Sequence, residues 1–320
     1  MRQQGHDDPM AWKTSSAAGR RLGQGLFAAI LLTVLAPAVP AQPAADPGRV
    51  PWTFFALQAE RLGNRITTEV RIATLPAAAE RARFLPGPKG VPFSPSGPEL
   101  VKLSVTTVIE ILGRQPVRID SHVWFDPRDG TPLFRIRTRT GVDDYHQLFW
   151  FTREGVFRRQ REPASPVEAA RPPESWTKLG EHFYPYGPAA QGCPQVLETS
   201  ILIYLLSATP ITERQGASSV CVFHKRLIHR VSFFSEAAKT VSVDFLEKTP
   251  AGENRRSGAM PAQRIRIESQ PLGTYRGEGE DFFEDGMLLI SPDGRQPLMV
   301  SCELPLIGRM ELRLKEIHLK

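Results

Sequence analysis

Between residues 52 and 319, apolar and polar positions alternate in short runs rich in Val, Ile, Thr, Phe and Trp, each ending at Gly, Pro or Asp. A period of two is the mark of strands with one buried and one wet face. The first run is 52–58. In 65–74, Ile66, Thr68, Val70 and Ile72 share one face, and Thr67, Glu69 and Arg71 share the other. Runs 100–112 and 116–125 predict a long hairpin around Gly113-Arg114-Gln115. Asp126-Pro127-Arg128-Asp129-Gly130 is a strong turn signal. In 133–140, Arg135, Arg137 and Arg139 take one face, and Phe134, Ile136 and Thr138 the other. Runs 146–152 and 156–161 predict a further hairpin, and 176–186 is an aromatic segment. Strands resume at 219–224, 227–235 and 240–247, then at 263–269, 287–291, 297–304 and 308–319. Segments 85–98, 162–174 and 249–261, bearing Pro with Gly or Ala, read as loops.

The texture changes once. Residues 195–208 are apolar nearly all round, with Leu197, Ile201, Leu202, Ile203, Tyr204, Leu205 and Leu206. Pro194 suits a first helical position, Thr209-Pro210 ends the run, and β-branched residues are few. A helix apolar on every side is a buried helix. About a dozen strands and one helix predict an all-β fold, an antiparallel meander curled into an open or closed barrel-like sheet around that helix. The expected organisation is one β domain over 51–320, preceded by a short linker, 42–50.

The N-terminus stands apart from this pattern. Arg20-Arg21 precede an apolar run at 26–36; Pro37 breaks it, and Val39-Pro40-Ala41 puts small residues before Gln42. This is the order of a secretory signal peptide, so 1–41 is expected to be cleaved and the protein to be periplasmic. The apolar run is well short of the roughly 20 residues of a membrane span. No cysteine follows the cleavage point, which argues against a lipid-anchored lipoprotein, and Met10 is an alternative start to Met1. No other segment is apolar for long enough to predict a membrane span after cleavage.

Composition adds little to this and excludes some partners. The net charge of +6 is mild, and with export it argues against nucleic acid. Arginine greatly outnumbers lysine; compositional bias is the plainer cause, and phosphate or carboxylate binding the functional one. Of the three cysteines, Cys193 and Cys221 flank the helical segment and are the better disulfide pair, whereas Cys302 alternates with apolar neighbours as a strand residue does.

One block resembles a known family. Glu198-Thr199-Ser200-Ile201-Leu202-Ile203-Tyr204-Leu205-Leu206 is similar to the central motif of the periplasmic domain of unknown function 3108 family. The order of Pro261-Ala262-Gln263-Arg264-Ile265, Gly286-Met287-Leu288-Leu289-Ile290, Asp293-Gly294-Arg295 and Ile307-Gly308-Arg309-Met310-Glu311-Leu312 is similar as well. Thr199 and Ser207 stand where that family has an acidic residue and an arginine, which marks a divergent member. The resemblance implies a periplasmic β fold like that of curved-sheet lipid carriers, with no assigned activity.

Chemistry is sparse. The nucleophile and zinc motifs Gly-x-Ser-x-Gly and His-Glu-x-x-His are missing, so no enzyme and no cofactor is expected. His224 and His229 are five apart across a short turn and read as ordinary polar positions. The acidic cluster Glu278, Glu280, Asp281, Glu284 and Asp285 lacks the spacing of a calcium loop. The arginine ladder Arg135, Arg137 and Arg139 is the most telling polar feature. It is either a rim for anionic groups or a solvated outer face paired to carboxylates on the next strand. With Trp124, Trp150 and Tyr204 it makes up the candidate ligand-binding set. The expected function is binding of a lipid or other apolar envelope ligand, with 85–98 covering the mouth; the alternative is a non-enzymatic structural or protein-interaction factor of the envelope.

Overall fold

The computed structural model describes residues 45, 47–84, 87–209, 217–224, 226–273, 286–293, 295–304 and 308–320. The expected signal peptide, 1–41, and the acidic cluster between Glu278 and Asp285 lie outside the described residues. Fifteen strands among the described residues form one sheet. They are β1 (Trp52–Arg61), β2 (Asn64–Pro76), β3 (Glu99–Glu110), β4 (Val117–Phe125), β5 (Pro132–Thr140), β6 (Tyr145–Phe151), β7 (Gly155–Glu162) and β8 (Lys178–Pro185). Then come β9 (Val196–Glu198), β10 (Ala217–His224), β11 (Leu227–Thr249), β12 (Gly252–Pro271), β13 (Gly286–Ile290), β14 (Pro297–Leu304) and β15 (Gly308–Leu319). Three α-helices interrupt them: α1 (Ala77–Phe84), α2 (Pro166–Ala169) and α3 (Ile201–Ala208). None is long and apolar enough to cross a membrane.

The topology is a meander read outward from both chain ends. The order is β8-β7-β6-β5-β4-β3-β2-β1-β15-β14-β13-β12-β11-β10-β9, so the first and last strands pair at the centre. All neighbours are antiparallel except β9–β10. The tip of β11 also pairs in parallel with β15, Leu246 to Glu316 and Lys248 to His318. The sheet curls until its two ends meet through side chains. Tyr184 of β8 lies 5.5 Å from Phe223 of β10, ring to ring. Phe149, Phe151, Val156 and Tyr184 form one apolar cluster with Val196, Cys221, Phe223 and Ile228.

The main core lies inside the curl. Trp52, Phe55, Leu103, Val123 and Phe125 are buried against Leu197, Ile201, Leu202 and Tyr204 of the β9–α3 segment. Tyr204 meets Phe125 edge to face at 4.9 Å, and Trp52 Nε1 donates to Ser207 Oγ at 3.2 Å. The turn after β4 seats on α3. Gly130 holds φ +78°, and a Cβ there would meet Leu205 at 3.3 Å, so glycine suits both the backbone and the contact.

Three expectations need correction. The helix begins at Ile201, and Val196-Leu197-Glu198 is a strand instead: its backbone finds a ladder partner in Cys221-Val222-Phe223 that the sequence pattern does not show. Residues 252–261 are strand and not loop, because β12 pairs with β11 residue by residue from Thr249 to Lys239, and an edge strand tolerates Gly258 and Pro261. The segment after α1 does not reach the end of the curl away from α3: Pro92 bridges Thr152, Ser96 N–H donates to Asp126 at 2.6 Å, and Phe93 packs against both the convex cluster of Ala77 and Phe84 and the closing cluster of Phe149 and Phe151.

Candidate functional site

Strand register assigns the faces. Three rows cross the concave side from β1 or β2 outward. The first is Leu57, Thr68, Thr107, Ile119, Arg139, Tyr145. The second is Phe55, Val70, Val105, Ser121, Arg137, Gln147, and the third is Ile72, Leu103, Val123, Arg135, Phe149, Arg158. Each row starts apolar on the early strands and turns cationic at β5. The arginine ladder therefore faces inward, and the solvated outer face considered from sequence is not where it sits.

The rows also differ in depth. At the α3 end Leu103, Val123 and Phe125 are fully buried. At the far end Val105, Thr107, Ile109, Ile119, Arg137 and Arg139 stay half-buried, because α3 does not extend over them. The concave face is filled at one end and left partly open at the other.

The three ladder arginines differ in what they touch. Arg135 Nη1 lies 2.7 Å from Glu198 Oε1, and its Nε donates to Ser121 Oγ at 3.1 Å. The side chains are 14% and 0% exposed, so this is a buried ion pair. Glu198 Oε2 in turn accepts from the Ser200 backbone N–H at 2.7 Å. Glu198 thus joins β5 to the start of α3 across the seam between the sheet's ends. Arg137 and Arg139 are placed otherwise. Arg137 has the Tyr145 ring 5.7 Å away, but neither has a carboxylate or hydrogen-bond partner among the described residues, and the Nε of each is shut off from solvent. Burial, then the neighbouring Arg135 charge, pulls the Arg137 pKa below the ordinary arginine value. Next to them Gln147 donates to Gln160 at 2.7 Å, and Arg158 lies over the Tyr184 ring at 5.5 Å.

The other sequence candidates do not join this site. Trp124 and Trp150 alternate away from the ladder: Trp124 pairs with Phe134 and Phe134 with Trp150, all on the convex face. There α1 covers them, and Trp124 Nε1 donates to Glu80 at 2.9 Å. Tyr204 is a core residue of α3. Cys193 and Cys221 are joined by a disulfide, Cα to Cα 5.8 Å, which ties the segment before β9 to β10. The backbone of Cys302 is in β14; its side chain lies outside the description. His224 and His229 meet edge to face at 5.6 Å, and His229 shares a hydrogen bond with Ser269, 2.9 Å. No group of three or more metal-ligating side chains occurs among the described residues.

Sequence reading missed Glu198, Gln147, Gln160 and Arg158. Two signals point to them. Glu198 is the single acidic residue in an otherwise apolar block, and such a residue needs a cation once buried. The Arg153-Glu154-Gly155 turn sets Phe151 opposite Val156, from which Gln147–Gln160 and Phe149–Arg158 follow by counting.

No family model and no curated protein matches the chain. A solved structure that is similar is the beta-barrel-like protein of domain of unknown function DUF1849 from Brucella abortus. It aligns over 85% of this chain and 98% of its own at 9% identity, with a TM-score of 0.45.

Proposed function

We infer that this protein is an exported, periplasmic binding module whose curled sheet holds a lipid or another apolar envelope ligand on its concave face. The observation that carries the reading is the half-open end of that face, where Val105, Ile109 and Ile119 remain partly wet beside a fully packed core. Apolar surface left in water costs about 25 cal/mol per Å², and a bound apolar ligand recovers that cost. The groups around it, Arg137, Arg139, Tyr145 and Gln147, are suited to orienting a ligand and include no nucleophile beside a base. The Cys193–Cys221 disulfide and the charge-apolar-small order of 1–41 support export. The helix block at 198–206 supports divergent membership of the domain of unknown function 3108 family.

Native mass spectrometry of the protein purified from the envelope, before and after solvent extraction, tests the reading. A co-purifying apolar mass that extraction removes is expected, together with an N-terminus at Gln42. A clean apo mass with no uptake of a fluorescent fatty acid would overturn it. One observation favours a second reading, an interaction factor of the envelope. Over 252–261, β12 pairs only with β11 among the described residues, leaving an exposed strand edge to which another chain could add. Crosslinking pull-down of the extracted protein would then capture one protein along that edge.

A further inference from the structure

We propose that the open end of the concave face is an anion site: Arg137 and Arg139 hold the phosphate or carboxylate head of an amphiphile whose tail lies across β4 to β2. This rests on the reading of that face as an apolar-ligand site, and it adds the charge of the ligand and its direction.

Charge accounting leads to the head group. Of the ladder, only Arg135 is neutralised; Glu198 holds it, and Glu198's second oxygen is taken by the Ser200 N–H. Arg135 is therefore a positioning residue. Arg137 and Arg139 follow at alternate positions, roughly 7 Å apart along the strand, and their side chains are long enough to converge on one oxyanion. Neither makes an ion pair among the described residues, Arg137 feeling the Glu198 charge only at a distance, and both have a solvent-shielded Nε with no acceptor. A buried, unpartnered donor on a cation is costly. The lowered pKa of Arg137 has the same sign: the folded protein disfavours this charge as it stands. A planar guanidinium presents a fork that matches phosphate and carboxylate, so an anion at this place relieves the cost in the most direct way.

The register gives the direction of the tail. Arg139 stands beside Ile119, and the same row continues through Thr107 and Thr68 to Leu57. The Thr68 and Thr107 hydroxyls bond each other at 3.1 Å, so neither asks for a polar partner from a ligand. From β5 to β2, the half-buried part of the row, is three strand spacings, roughly 14 Å. One leaflet of a bilayer core is about 15 Å thick. Leu57 is already buried in the core, so an acyl chain that starts at Arg139 finds a continuous, weakly polar, half-buried floor over Ile119, Thr107 and Thr68 of nearly one leaflet's depth. In the opposite direction the row meets Tyr145, and the rows beside it meet Gln147 and Arg158, which a tail would avoid.

Calorimetric titration of the solvent-extracted full protein with dodecyl phosphate, dodecanol and inorganic phosphate, each below its aggregation limit, tests this. Dodecyl phosphate should bind at least about tenfold more tightly than dodecanol. In the Arg137→Met/Arg139→Met variant dodecyl phosphate should bind no more tightly than dodecanol. Arg139→Met alone, a milder second variant, should give an intermediate preference. Without ligand, neither variant should unfold at a lower urea midpoint than wild type, since each removes a buried charge that has no ion pair. Equal affinity of the wild type for dodecyl phosphate and dodecanol overturns the anion site and leaves the apolar-ligand reading standing. Inorganic phosphate binding as tightly as dodecyl phosphate, without dodecanol binding, upholds the anion site with a free anion as its source and overturns the apolar-ligand reading.

Discussion

Removing the Glu198 carboxylate should loosen the seam between the two ends of the sheet. In wild type, Arg135 and Glu198 meet at 2.7 Å with the carboxylate fully buried. Glu198→Ala would leave Arg135 beside Arg137 with no carboxylate paired to it and would free the Ser200 N–H that precedes α3. At an effective dielectric near 20, a pair of charges about 4 Å apart interacts by about 4 kcal/mol. Breaking one side of a buried pair costs about 3–5 kcal/mol, because the remaining charge stays desolvated. For a domain of this size that corresponds to a fall of roughly 6–20 °C in the unfolding midpoint. The assay is urea and thermal unfolding of Glu198→Ala, Arg135→Met and the double variant. The double variant should be more stable than Glu198→Ala alone, with a coupling energy of about 1–3 kcal/mol, since it no longer buries an unpaired cation. A Glu198→Ala variant within about 0.5 kcal/mol of wild type, or singles that add without coupling, would refute the idea that this pair holds the seam.

Three further outcomes follow from other parts of the fold. Reducing the Cys193–Cys221 bridge, or replacing both cysteines by serine, should cost about 3–4 kcal/mol by the loop-entropy relation for a separation of 28 residues, read from urea unfolding with and without reductant. Phe125→Ala should cost about 3–5 kcal/mol, since Phe125 is fully buried against Tyr204 and α3 cannot settle into the gap while Trp52 holds Ser207; a loss below about 1 kcal/mol would argue against a core filled at this end. His122 and His146 have pKa values lowered chiefly by burial. The unfolded chain therefore takes up protons first, and stability should fall as pH drops below about 6.5 toward the lowered folded values. Urea unfolding at pH 7.5 and 5.5 should show that fall in wild type and a flatter profile in His122→Asn/His146→Asn.

Much of the local structure is legible in the residues. Alternation along 65–74 and 133–140 gives strands; the Asp126–Gly130 segment gives a turn, and the long apolar block gives α3. Each of these is a short-range effect, set by side-chain period and by residues that favour tight turns. Even the alternation of the arginine ladder with Phe134 and Ile136 is plain in the chain, and with it the fact that one face carries three cations. Which face that is could not be read, because β5 has large side chains on both. Only the curl of fifteen strands decides it, by bringing β5 opposite β9 and making the arginine side concave. The same long-range closure separates Trp124 and Trp150 from the ladder, turns Val196–Glu198 into a strand and supplies Glu198 to Arg135 but nothing to Arg137 and Arg139. Period and turn chemistry act within a few residues, whereas burial, face and charge pairing depend on contacts tens of residues apart, and these exist only once the sheet has closed on itself.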